Sequence, residues 1–145
     1  YGASHIRFNS TVPLSETVGE RMYAYFAVAV PDMVSDLVVT VSEVQGEVDV
    51  LVSNTQTHPS HNVPADVQWQ SDHVNLVGST HSIHVRYTDP LFLVGNYYIA
   101  VYGRRSASFV INATTEQVAR EMQVGPTYGA VVTARGNCSA DGDCL

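Results

Sequence analysis

Apolar and polar residues alternate along most of this chain. In SHIRFNSTV (4–12), Ile6, Phe8 and Val12 share one parity, which predicts a strand with a single buried face. ERMYAYFAVAVP (20–31) puts Met22, Ala24, Phe26, Val28 and Val30 on one side. Tyr23, Tyr25, Ala27 and Ala29 fall on the other, so this strand is expected to be covered on both faces. DLVVTVSEV (36–44) aligns Leu37, Val39 and Val41, and EVDVLVS (47–53) sets Val48, Val50 and Val52 against Asp49. Gly46 between these two runs predicts a hairpin, glycine supplying the positive φ of a tight turn.

A polar loop with two prolines, NTQTHPSHNVPAD (54–66), leads to the short strand VQWQ, which carries the single tryptophan, Trp69. HSIHVRY (81–87) alternates again, and YYIAVYG (97–103) and ASFVINA (107–113) predict a second hairpin around Gly103–Ser106. TTEQVAREM (114–122) is the one helix-like stretch, with Thr115 placed to cap it and Val118 and Met122 on one face. PTYGAVVTAR (126–135) reads as a last strand. Eight or so short strands with regularly spaced turn signals predict an all-β, antiparallel β-sandwich with one short helical segment.

Composition supports that reading and narrows the partners. The 145 residues fit one domain with a core of its own, and 24 valines and eight tyrosines suit pleated surfaces. There is no lysine, and the net charge is −7 with only Arg104 and Arg105 adjacent, which argues against nucleic acid as a partner. No apolar run approaches the roughly 20 residues of a membrane span, so membrane insertion is not expected.

YFAVAVP, LVVTVSEVQGEVDVLVSN and GNYYIAVYGRRSASFVINA follow the order and spacing of the bacterial pre-peptidase C-terminal (PPC) domain, which residues 20–113 resemble. In that family's pattern an aromatic follows the DL-type step, whereas here Val50-Leu51 follow Asp49. The resemblance implies a jelly-roll-like sandwich and a non-catalytic accessory module of a secreted protein. The β-sandwich domain is then expected to span 1–134. The end of the chain, GNCSADGDCL, holds the only cysteines, Cys138 and Cys144. They are close enough to bridge, although closing so short a loop stabilises by only about 2 kcal/mol. The spacing C-x3-G-x-C resembles the start of an EGF-like module at 135–145, and the natural polypeptide is expected to continue past Leu145.

Candidate chemistry is sparse. Sequons at Asn9, Asn112 and Asn137 are candidate N-glycosylation sites, in keeping with an extracellular or cell-surface protein. His58 and His61 lie in the polar loop, followed by His73, His81 and His84. His81 and His84, three apart on a strand, face opposite ways and cannot chelate together, so the histidines read as solvated and neither metal nor cofactor is assigned. No GxSxG, HExxH or phosphate loop is found, and no catalytic residue is assigned. Asp141-Gly142-Asp143 reads as a polar turn, with too few ligands for calcium. Trp69, Tyr97, Tyr98 and Tyr102 are the candidate binding aromatics for a sugar. The leading expectation is a glycosylated structural or adhesive module, contacting its own copies or other extracellular proteins and joined into filaments by its terminal strands. The alternative is a carbohydrate- or protein-binding accessory domain of a secreted hydrolase.

Overall fold

The computed structural model describes residues 13–74 and 78–117, and of residues 138–140 and 142–144 the backbone only. Eight strands, β1 (Leu14–Val18), β2 (Tyr23–Val30), β3 (Asp36–Gln45), β4 (Val48–Ser53), β5 (Trp69–Ser71), β6 (Thr80–Val85), β7 (Gly95–Gly103) and β8 (Ala107–Glu116), form two antiparallel sheets. Their orders are β1-β8-β3-β6 and β2-β7-β4-β5. Strands 1 and 8, 2 and 7, 3 and 6, and 4 and 5 are paired, which is the jelly-roll arrangement. A short 3-10 turn, Pro64–Asp66, precedes β5, and β9 (Cys138–Ala140) and β10 (Gly142–Cys144) pair with each other.

Alternation decides which side chains meet. Leu37, Val39 and Val41 of β3 and Phe109 and Ile111 of β8 face Val48, Val50 and Val52 of β4 and Ile99 and Val101 of β7 in one dry interior. Phe26 and Phe109 join the two layers edge to face, with centroids 6.1 Å apart. Burying each such side chain contributes about 1.5–3 kcal/mol.

Neither predicted hairpin forms. β3 lies in one sheet and β4 in the other, and the same holds for β7 and β8. Gly46 and Gly103–Ser106 therefore carry the chain between layers. A turn signal marks where the chain reverses, but strands with inward valines are equally well buried across the sandwich as beside one another. The crossing turns also bond to each other. Arg21 N–H donates to the Gly103 carbonyl (2.6 Å), Gly103 N–H to that of Met22 (3.0 Å) and Arg104 N–H to that of Glu47 (2.9 Å). Among the described sandwich strands, only β4 and β5 are sequence neighbours that pair, so the long loop 54–68 is the hairpin connection.

The helix expected to begin at Thr115 does not begin there. β8 continues to Glu116, with Thr115 opposite Leu37 and Glu116 opposite Asp36. β3 offers backbone partners to that point, and β-branched threonines suit a strand. Val118 and Met122 lie outside the described residues, as do the expected strands 4–12 and 126–135 and the side chains of Asn9, Asn137, Cys138 and Cys144. Among the described residues no helix is long and apolar enough to cross a membrane.

Gly46 has φ +79°, and a Cβ there would strike the Ser106 carbonyl and Ala107 of the neighbouring crossing turn. Gly46→Ala is expected to lower unfolding free energy by about 2 kcal/mol in urea titration, with an unchanged m-value.

Candidate functional site

Along β3 the inward parity of Leu37, Val39 and Val41 continues to Glu43, a carboxylate where alternation calls for a hydrocarbon. The register with β8 then slips between Glu43 and Gln45, leaving Val44 as an exposed bulge residue. Bulges re-aim side chains at the ends of ladders. The Glu43 side chain is 0% exposed. Its Oε1 accepts the Ser79 N–H (3.2 Å), and Oε2 accepts the Val48 N–H (3.1 Å) from the opposite sheet.

Two imidazoles complete the shell. His73 Nδ1 lies 2.8 Å and His81 Nε2 3.1 Å from Oε2, with 6% and 3% of these side chains exposed. An ionised carboxylate only accepts, so both facing ring nitrogens carry hydrogen. The other ring nitrogen of His81, Nδ1, lies 2.9 Å from the Ser71 hydroxyl oxygen. Burial by itself raises the Glu43 carboxyl pKa, but the Val48 amide and the two imidazoles outweigh it and hold the group below the usual 4.5. The three atoms facing one another, one each from Glu43, His73 and His81, lie within 4.8 Å, a spacing that ligands of one divalent ion can adopt.

A second buried carboxylate adjoins the first. Asp49, on the outward face of β4, accepts Arg104 Nε–H (2.7 Å) and His73 backbone N–H (2.7 Å) on Oδ1, while Oδ2 lies 3.0 Å from His61 Nε2. The hydrogen bond and charge of Asp49 hold the Arg104 guanidinium yet more firmly protonated. At the far end of β3, buried Asp36 meets His84 Nε2 at 2.8 Å and accepts the Tyr87 N–H. Four of the histidines read as solvated are thus carboxylate partners. The sequence signal was Glu43 and Asp49 within valine-rich strands, since a buried charge requires a partner. His81 and His84 do face opposite ways; it is Glu43 and His73 that meet His81.

Ser71, His81 and Glu43 run in the order serine, histidine, acid. Here the serine sits on Nδ1 and the acid on Nε2, the reverse of the hydrolase triad, and His81 is buried.

The loop after β4 folds over the outer face of β2, β7 and β4. Pro59 is buried, and the His61 N–H donates to the Tyr23 hydroxyl (3.0 Å). Tyr23 stacks on Tyr25 (5.8 Å) and lies against Tyr102 (4.8 Å), His61 packs edge-on to Tyr102 (4.9 Å), and His58 edge-on to Tyr25 (4.5 Å). The four expected binding aromatics do not form one platform. Tyr97 is in the core, its hydroxyl donating to the Leu93 carbonyl and accepting the Leu93 N–H, and Trp69 packs beside it with Nε1–H donating to Asp89. Tyr98 and Tyr102 lie on the opposite, partly exposed face, because alternate residues of β7 point opposite ways. Asn112 is in the middle of β8, partly covered, with a buried Oδ1 that has no hydrogen-bond partner among the described residues.

No family model and no curated relative matches the chain. Among solved structures it is similar to PliG, a periplasmic inhibitor of g-type lysozyme from Aeromonas hydrophila. That match has 9% identity and TM-score 0.52, over 79% of this chain and 100% of that one. It is also similar to the pre-peptidase C-terminal domain of a collagenase from Bacillus anthracis, at 13% identity and TM-score 0.46, over 77% of this chain and 94% of that one. The second is a domain of the type that residues 20–113 resemble in sequence. At 9% identity the likeness to PliG is one of fold alone; the jelly-roll β-sandwich of this chain carries carboxylate–histidine contacts buried at one end of β3 and β4.

Glu43→Gln is expected to cost about 3 kcal/mol at pH 7, because an amide cannot accept all four donors. A depressed carboxyl stabilises above its unfolded pKa and loses that contribution as pH falls through its folded value. The gap between wild type and variant, followed by urea unfolding with chelator present, should therefore close only below about pH 4.5.

Proposed function

We propose that this chain is a non-catalytic module of a secreted or envelope protein, and that it works by holding the tyrosine–histidine face of β2 and β7 against a protein partner. The observation that carries this is the continuous cluster of Tyr23, Tyr25, Tyr102, His58 and His61, part exposed and fixed in place by the His61–Asp49 contact. Amphipathic rings already ordered before binding lose little entropy on contact, and aromatics are enriched in protein interfaces. The PliG fold is used in a protein that inhibits another protein, which supports this reading by analogy of fold. The sequon at Asn112 lies on a different sheet from this face, so a glycan there is compatible with the contact.

The test is capture of interacting proteins from secreted material, followed by affinity measurement with Tyr23→Ala and Tyr102→Ala proteins. Each change is expected to weaken binding at least about 30-fold, the size of an interface hot spot, while leaving circular dichroism unchanged. Retention on polysaccharide that the same changes abolish would assign the face to carbohydrate instead. Light scattering that shows rods, dissolved by removing residues 1–12, would favour self-assembly through the terminal segments 4–12 and 126–135, which lie outside the described residues. Intact mass before and after glycosidase treatment reads the occupancy of Asn9, Asn112 and Asn137.

A further inference from the structure

We propose that Glu43, His73 and His81 form a binding site for a zinc ion. The three come from different pieces of the fold: β3, the connection after β5, and β6. One potential ligand atom from each of the three already lies within 4.8 Å of the others. Around tetrahedral zinc, ligand atoms at about 2.0–2.1 Å from the ion stand about 3.3 Å from one another. The present separations of Glu43 Oε2 from His73 Nδ1 and His81 Nε2 are 2.8 and 3.1 Å. Each nitrogen thus needs to part from Oε2 by only a few tenths of an ångström, while the two imidazoles, with ligand nitrogens within 4.8 Å of each other, close on the ion as the two ring protons that now fill its place leave.

The groups behind the ligands match that exchange. When His81 Nε2 binds metal, the ring carries its proton on Nδ1, where the Ser71 hydroxyl oxygen 2.9 Å away accepts it. When His73 Nδ1 binds metal, the proton on Nε2 faces the Glu47 carboxylate, 4.0 Å away. Metal-bound histidines commonly donate their second N–H to such an oxygen. The Ser79 and Val48 amides hold the Glu43 carboxylate in place throughout. Charge is also favourable: the ion's two positive charges meet Glu43 and, just behind, Glu47. Two imidazoles with one carboxylate select zinc-like ions over calcium or magnesium, which take oxygen ligands. Three protein ligands leave a fourth position for water. An ion here ties the β5–β6 connection to the edge of the sandwich. This inference does not depend on the proposed function.

The experiment uses the full 145-residue chain, untagged, stripped with chelator and with Cys138 and Cys144 alkylated so that thiols take no part. Calorimetric titration with zinc is expected to give one equivalent bound and a Tm raised by about 5 °C or more at saturation, with no response to calcium. In ring-nitrogen NMR spectra, His73 Nδ1 and His81 Nε2 should lose their protons and shift on zinc addition while His84 does not move. His73→Ala should abolish saturable binding, and Ser71→Ala should weaken it about 10-fold. The NMR readout on the unmutated chain keeps the test decisive if a variant fails to fold. Absence of saturable zinc binding, or zinc binding that leaves the His73 and His81 rings unchanged, overturns the proposal.

Discussion

The constraint on which this molecule depends is that two valine-faced sheets must close on each other while the backbone passes between them. Pairing strands 1 with 8, 2 with 7, 3 with 6 and 4 with 5 satisfies it, because the crossings β1–β2, β3–β4 and β7–β8 are short turns and the inward side chains of the two layers meet in one core. The crossing turns then bond to one another, so the backbone groups freed where ladders end find partners in neighbouring turns. Gly46 and Gly103 fit there because a side chain at either would run into the adjacent turn.

Polar groups sealed by that closure set the second layer of the design. Asp36, Glu43 and Asp49 are each at most 5% exposed, and each would be intolerable alone. Without lysine in the chain, histidine and arginine supply the partners. Glu43 reaches across the gap to the Val48 amide while holding His73 and His81, so one carboxylate links the two sheets at their edge. Histidine in this role brings a second ring nitrogen that can donate or accept, which arginine and lysine do not offer.

The outer face of β2-β7-β4 shows how a polar loop becomes part of the fold. Leu51 and Ala100 point away from the core yet are fully buried, on the face over which the connection 54–68 folds, held there by the His61 contact with Asp49. What stays partly open is the tyrosine cluster at the rim, the face proposed above as the contact surface. Trp69 and Tyr97 contribute instead to the interior, where their polar atoms are met by Asp89 and Leu93.

The positions of β2 to β8, their inward sets and the sandwich class were legible in the sequence, since period-two alternation records burial directly in residue type, whereas β1 (Leu14–Val18) was not among the expected strands. The resemblance over residues 20–113 implied the jelly-roll character that the sheet orders display. Whether a turn leads to a partner beside its strand or across the core was not legible. Gly46 looks the same in either case, and only the competition among all eight strands decides. Nor did spacing disclose that His73, 30 residues from Glu43, and His81, 38 residues away, would converge on one oxygen. Alternation says which side a residue faces; what stands opposite it depends on how distant strands register, and that is a property of the closed sandwich alone.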